Sequence, residues 1–152
     1  PGLAILFFSA LGMNGEDILS AGLAERNGPY EQYHHGDFNA LHVSYFRRNP
    51  GENEFQTCNL RKSFGFHLVA QGADPLPTAG LAANSYRIKV VKCGARVSFY
   101  MGYKEEDLAI FAWEDDGMSY GPILGEGKIG FRQMTPLIAE YSNLVVREVE
   151  HP

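Results

Sequence analysis

Cysteine is scarce: Cys58 and Cys93 are the only two in 152 residues. Two thiols are too few for a disulfide scaffold or a Cys-only zinc site, and two buried free thiols are expected rather than one bridge. No apolar run reaches the roughly 18 residues that a membrane-spanning helix needs. Basic clusters are missing: the widest is Arg47-Arg48 and the formal net charge is −5, so the footprint of a nucleic-acid-binding protein is absent. No serine nucleophile elbow, phosphate loop or dinucleotide fingerprint occurs. The opening, Pro1-Gly-Leu-Ala-Ile-Leu-Phe-Phe-Ser-Ala10, has neither an initiating Met nor the zones of a secretion signal. It starts inside an apolar, strand-like run. The expectation is one domain over 1–152 whose first strands are missing before Pro1, with Gly2–Ala10 an interior strand and either those strands or a second copy of the chain completing the sheet.

What is present is turn chemistry and aromatic strand formers. Seventeen glycines and eight prolines are spread along the chain and read as repeated turns. Between them, β-branched and aromatic segments predict strands at Gly2–Ala10, Ala40–Arg47, Phe55–Arg61, Phe66–Gln71, Ser85–Lys92, Ala95–Gly102, Leu108–Trp113, Lys128–Gln133 and Ile138–Val149. The clearest hairpin surrounds Cys93-Gly94, where Ile88 and Val90 alternate with Arg87 and Lys89. Gly15–Ala24 has room for one or two helical turns, capped by Asn14 or Ser20. Asp74–Ala83, with Pro75 and Pro77, reads as a loop. The spacing predicts an all-β, antiparallel two-sheet jelly-roll sandwich of the concanavalin type.

The densest polar stretch runs from Tyr30 to His42. His34, His35, Asp37 and His42 are metal-ligand types, but their spacing matches no tight ligand motif. No metal and no cofactor are expected there, and the stretch reads as a hydrogen-bonded loop. The following strands say more. Alternation puts His42 with Ser44, Thr57 with Asn59 and Arg61, and His67 with Gln71. Solvated strand faces are usually Lys, Glu and Thr. His, Asn, Arg and Gln instead supply the paired donors and acceptors and the bidentate fork that sugar hydroxyls and carboxylates need. The expected partner is an oligosaccharide or polysaccharide held in a concave groove. Asn59, Arg61, Gln71 and Tyr45 are its candidate ligands, with the lone Trp113 as a stacking surface. For Trp113, a place in the core is an equal alternative. If the groove is catalytic, His67 or His42 exchanges the proton and Arg61 neutralises a uronate, as in a polysaccharide lyase. A glycoside hydrolase needs two carboxylates, and the acids Glu31, Asp37, Glu114, Asp115 and Asp116 form no recognisable pair. The Glu-x-Asp-x-x-Glu strand motif of laminarinase-type hydrolases is absent. A non-catalytic galectin-like binding module is the alternative to an enzyme.

Three segments carry a resemblance: Gln32-Tyr-His-His-Gly-Asp-Phe-Asn-Ala-Leu-His-Val-Ser-Tyr-Phe-Arg-Arg48, Cys58-Asn-Leu-Arg-Lys-Ser-Phe-Gly-Phe-His-Leu-Val-Ala-Gln-Gly-Ala-Asp-Pro75 and Gly127-Lys-Ile-Gly-Phe-Arg-Gln-Met134. Together they resemble the YesU-like family, a domain of unknown function. The resemblance covers nearly the whole chain. It implies a fold similar to galectins and concanavalin-like glucanases, a setting in bacterial polysaccharide degradation, and a leading portion before Pro1. It implies no reaction. One departure is the charged segment Gly102–Trp113, where a short Asn-Gly turn is expected.

Overall fold

The computed structural model describes residues 2–48, 56–74, 85–103 and 106–149. Eight strands form: β1 (Gly2–Gly12), β2 (Phe38–Arg48), β3 (Thr57–Ser63), β4 (His67–Ala73), β5 (Tyr86–Cys93), β6 (Arg96–Tyr103), β7 (Glu106–Glu114) and β8 (Lys128–Met134). They build two antiparallel sheets, ordered β4-β3-β2-β1-β8 and β5-β6-β7. The expected all-β sandwich is therefore what the chain forms. No helix forms at Gly15–Ala24, and the one short helical turn among the described residues is a 3-10 segment at Tyr30–Tyr33. Except for Asp74, the loop expected at Asp74–Ala83 lies outside the described residues.

β1 pairs with β2 on one side and β8 on the other, so it is interior, as its apolar run predicts. Its residues feed two cores. Ala4 and Phe8 join Leu41, Val43, Tyr45, Cys58 and Leu60 against Val97, Phe99 and Met101 of the facing sheet. Phe99 packs on Tyr45 and Phe111, with ring centroids 5.9 and 5.4 Å apart. Fully burying each such side chain contributes about 1.5–3 kcal/mol. Leu3, Ile5, Phe7 and Ala10 point the other way and meet Phe38 and Ala40 beneath the loop between β1 and β2. That loop is pinned by Arg26, which bonds Asp37 at 3.2 Å and the Ile18 carbonyl at 2.6 Å and lies 5.0 Å over the Phe38 ring.

The β5–β6 hairpin closes on Gly94 and Ala95, with Cys93 paired to Arg96 and Gly94 at φ +55°. Within Gly102–Trp113, Asp107 is met across the sheet: Arg87 and Lys89 both reach it at 3.1 Å. Both cysteines are free of disulfide bonding, and Cys58 Sγ donates to Met101 Sδ at 3.5 Å.

Ile138–Val149 is not a strand. Its alternation satisfies the pattern, but a strand exists only through a hydrogen-bonding neighbour. After β8 the chain turns away, with Leu137 N–H donating to the Met134 carbonyl at 3.1 Å. Among the described residues it finds no ladder partner, and Ile138 is left 91% exposed.

Candidate functional site

The outer face of the five-stranded sheet carries the polar residues. Its register sets His42 beside Arg61, Ser44 beside Asn59 and Asn59 beside Gln71. Gln71 Nε2 donates to Asn59 Oδ1 at 2.8 Å, and Thr57 Oγ1 donates to the same oxygen at 3.2 Å. Asn59 is buried and Gln71 exposed. Asn59 therefore holds the amide that solvent sees.

The other half of the site comes from the β1–β2 loop and the β3–β4 turn. Gly65 N–H donates to the His34 carbonyl at 2.7 Å and Phe64 N–H to Asn39 Oδ1 at 3.0 Å, which ties the two together. The tie brings Phe66 into a cage of rings. Its centroid lies 4.4 Å from His34, 5.5 Å from Tyr30 and 6.1 Å from His42. The Arg61 guanidinium lies 3.8 Å above the Phe66 ring and donates to the Phe66 carbonyl at 2.9 Å. This cation–π contact clamps a long side chain that otherwise samples many rotamers. Phe66 remains 37% exposed.

His42 has no exposed surface and its Nε2 sits 3.1 Å from the Tyr30 hydroxyl. Burial, then Arg61 and His34, push its pKa down to about 3. Burial also pushes Tyr30 up to about 12, opposed by Arg61 and Arg132. The pair is therefore neutral on both sides across ordinary pH. Burial lowers His34 as well, helped by His35 and opposed by Glu31. His34 and His35 touch through their Nδ1 atoms. No group of three or more metal-ligating side chains forms among the described residues, and Asp37 is held by Arg26.

Three sequence-predicted residues lie elsewhere. His67 is not with Gln71, because β4 carries a bulge: Ala70 pairs with Leu60 but Leu68 pairs with Arg61, leaving Val69 as an extra residue. Parity flips there, so Leu68 joins Arg61 on the outer face. His67 pairs with Lys62 and packs on Tyr120, 5.0 Å away. Tyr45 points into the inter-sheet core at 1% exposure, following the alternation of Leu41 and Val43. Trp113 belongs to the three-stranded sheet, where it is part-buried against the same core, 6.0 Å from Lys62 Nζ. Phe66, Tyr30 and Arg132 were not singled out from the sequence. For Arg132 a signal existed, because Lys128, Gly130 and Arg132 alternate onto one face. For Phe66 none did, since its place is set by a turn and a bulge.

The family described as Domain of unknown function (DUF1961) matches residues 1–146. The chain belongs to this family. The DUF1961 chain is also 52% identical over 149 residues to "Uncharacterized protein YesU" of Bacillus subtilis (strain 168), covering 97% of the chain and 66% of YesU. A solved Bacillus subtilis structure, described as a protein of unknown function with a galectin-like fold, matches with a TM-score of 0.80 at 54% identity. That match covers 90% of the DUF1961 chain and 60% of the solved one. The chain thus spans less than two thirds of either relative. Its fold is a galectin-like jelly roll.

Proposed function

We propose that this domain binds carbohydrate, an oligosaccharide of a plant or microbial polysaccharide, on the outer face of its five-stranded sheet. The observation that carries the reading is the part-exposed Phe66 ring held under Arg61, next to the Gln71 amide braced by Asn59. A pyranose presents one apolar C–H face and a rim of hydroxyls. An aromatic ring meets the first, while a clamped guanidinium and an amide meet the second. The galectin-like fold supports the same reading by analogy.

The enzymatic alternative, a polysaccharide lyase or glycoside hydrolase, has the Tyr30–His42 contact beside Arg61 in its favour. A general base works best with a pKa near the working pH, and neither partner has one. The acids a hydrolase would use are dispersed. Asp37, Asp115 and Asp116 each bond their own partners, and Glu114 ends β7 of the other sheet. Binding therefore leads.

Arg61→Ala and Phe66→Ala are each expected to weaken oligosaccharide binding about tenfold in calorimetry, the equivalent of one charge-assisted hydrogen bond or a ring stack. His67→Ala is expected to change nothing. The panel is pectic, ulvan and alginate oligosaccharides, with unsaturated-uronate absorbance and reducing ends followed in parallel. Parent-like binding by both variants would refute this face as the site, and product formation by the parent would put the enzymatic reading first.

A further inference from the structure

The same outer face continues past Tyr30 into a cavity of about 310 Å³ between the β1–β2 loop and β8. Its floor is Gly130, opposite Phe7 on β1. A Cβ built at Gly130 would meet nothing within 4 Å, so the glycine leaves open space above the strand. Strand alternation places Lys128 and Arg132 on either side of that floor. Phe7, Tyr33 and Phe38 contribute apolar and aromatic wall.

The lining contains three basic residues, Arg26, Lys128 and Arg132, and no acidic one among the described residues. Arg26 is neutralised by Asp37, and Lys128 is 3.1 Å from Asp17, an exposed pair that contributes little. Arg132 differs. Its Nη2 donates to the Gly28 carbonyl at 2.7 Å, a neutral acceptor. Its guanidinium lies 4.6 Å from the Tyr33 ring centroid and 5.4 Å from that of Tyr30. Its Nε is buried with no hydrogen-bond partner among the described residues. Leaving a buried charged-group donor unmade is costly. An anion in the cavity would meet the same guanidinium, whose charge has no acidic partner in the lining.

We propose that this cavity is a subsite for a single pyranose ring carrying an anionic group, with the ring over Gly130 against the aromatic wall and its anion on Arg132. The inference rests on the carbohydrate reading above and adds the charge of the sugar to it. Tyr30 touches both Phe66 and Arg132, so the two positions are neighbours along one ligand. The anion is a carboxylate or a sulfate ester. Both accept from a guanidinium in the same way.

The test is a titration followed by amide chemical shifts, with glucuronate, galacturonate, galactose 6-sulfate, neutral galactose, and acetate plus inorganic sulfate as bare anions. Uronates and the sugar sulfate are expected to shift Gly130 and its neighbours, and galactose to bind about tenfold or more weakly. The relative strength of the uronates and the sugar sulfate identifies the natural anion. Gly130→Val puts bulk into the cavity at a position where the added Cβ meets nothing within 4 Å, so it is expected to keep the parent's unfolding midpoint and lose the response. Arg132→Gln is expected to abolish the preference for charged over neutral sugar. The proposal is overturned if galactose binds as well as the acids, if the bare anions bind as tightly as the charged sugars, if folded Gly130→Val responds like the parent, or if no monosaccharide binds the parent. If oligosaccharides still bind through Arg61 and Phe66 in any of those cases, only the anionic subsite fails. If they do not bind either, the carbohydrate reading fails with it.

Discussion

Asp115→Ala is expected to destabilise the protein by about 3–5 kcal/mol, the cost typical of breaking a buried ion pair from one side. Lys62 is 1% exposed and Asp115 5%. Lys62 Nζ lies 2.6 Å from Asp115 Oδ2 and donates also to the Gly121 carbonyl at 2.9 Å. The other carboxylate oxygen accepts the Gly117 N–H at 3.0 Å. The pair thus joins β3 to the segment after β7. Removing the carboxylate leaves a buried ammonium that keeps one direct acceptor, the Gly121 carbonyl, with the Trp113 ring 6.0 Å away and the exposed Asp116 acting on it only through space. A double variant, Lys62→Met with Asp115→Leu, is expected to recover most of the loss, because no charge is then buried. Urea unfolding midpoints measure both. A single variant within about 0.5 kcal/mol of the parent would show that water reaches the pair.

Acid is expected to weaken the fold through His42. An imidazole in the unfolded chain titrates near 6.5, and in the folded chain burial lowers that to about 3. Between those values the unfolded state holds the extra proton. This stabilising contribution is therefore complete above about pH 6.5 and falls as pH falls, by about 1.4 kcal/mol per pH unit, until about pH 3. His34, lowered by the same cause, acts in the same direction. Unfolding free energies measured from neutral pH down to about 4 should slope accordingly in the parent and less steeply in His42→Gln, which cannot protonate. Equal slopes would show that His42 is not buried as neutral imidazole. Because His42 underlies Tyr30 and Phe66, loss of sugar binding should accompany the acid weakening.

Much of the sandwich was legible because, between its bulges, each sheet alternates in the ordinary way. Ile88 and Val90 against Arg87 and Lys89, or Ala4 and Phe8 against Ile5 and Phe7, can be assigned to faces by counting. The partnership of Arg61 and Asn59 with His42 and Gln71 obeys the same count, and their burial does not. His42 reads as a surface histidine until Tyr30 is laid over it, and what lays it there is a long loop anchored by Arg26 and Asp37. Lys62 was invisible for a different reason: its partner is 53 residues away, and a lone lysine in a strand reads as solvent-facing. Tyr45 was a chemical temptation that counting already opposed, since it alternates with Leu41 and Val43. Ile138–Val149 shows the converse limit, a sequence with the composition of a strand and no neighbour among the described residues to make it one.

The extra residue in β4 makes strand length and surface chemistry independent of each other. Val69 is accommodated as a bulge, so taking it out would restore plain pairing and leave the rest of the strand in place: Leu68 would still face Arg61, Gln71 would still face Asn59, and Phe66 would stay at the same end of the strand. Two genes differing by that one codon would encode the same ligand-facing surface. The gap in their alignment would be silent at the site, although it would look like a shift of every side chain beyond it.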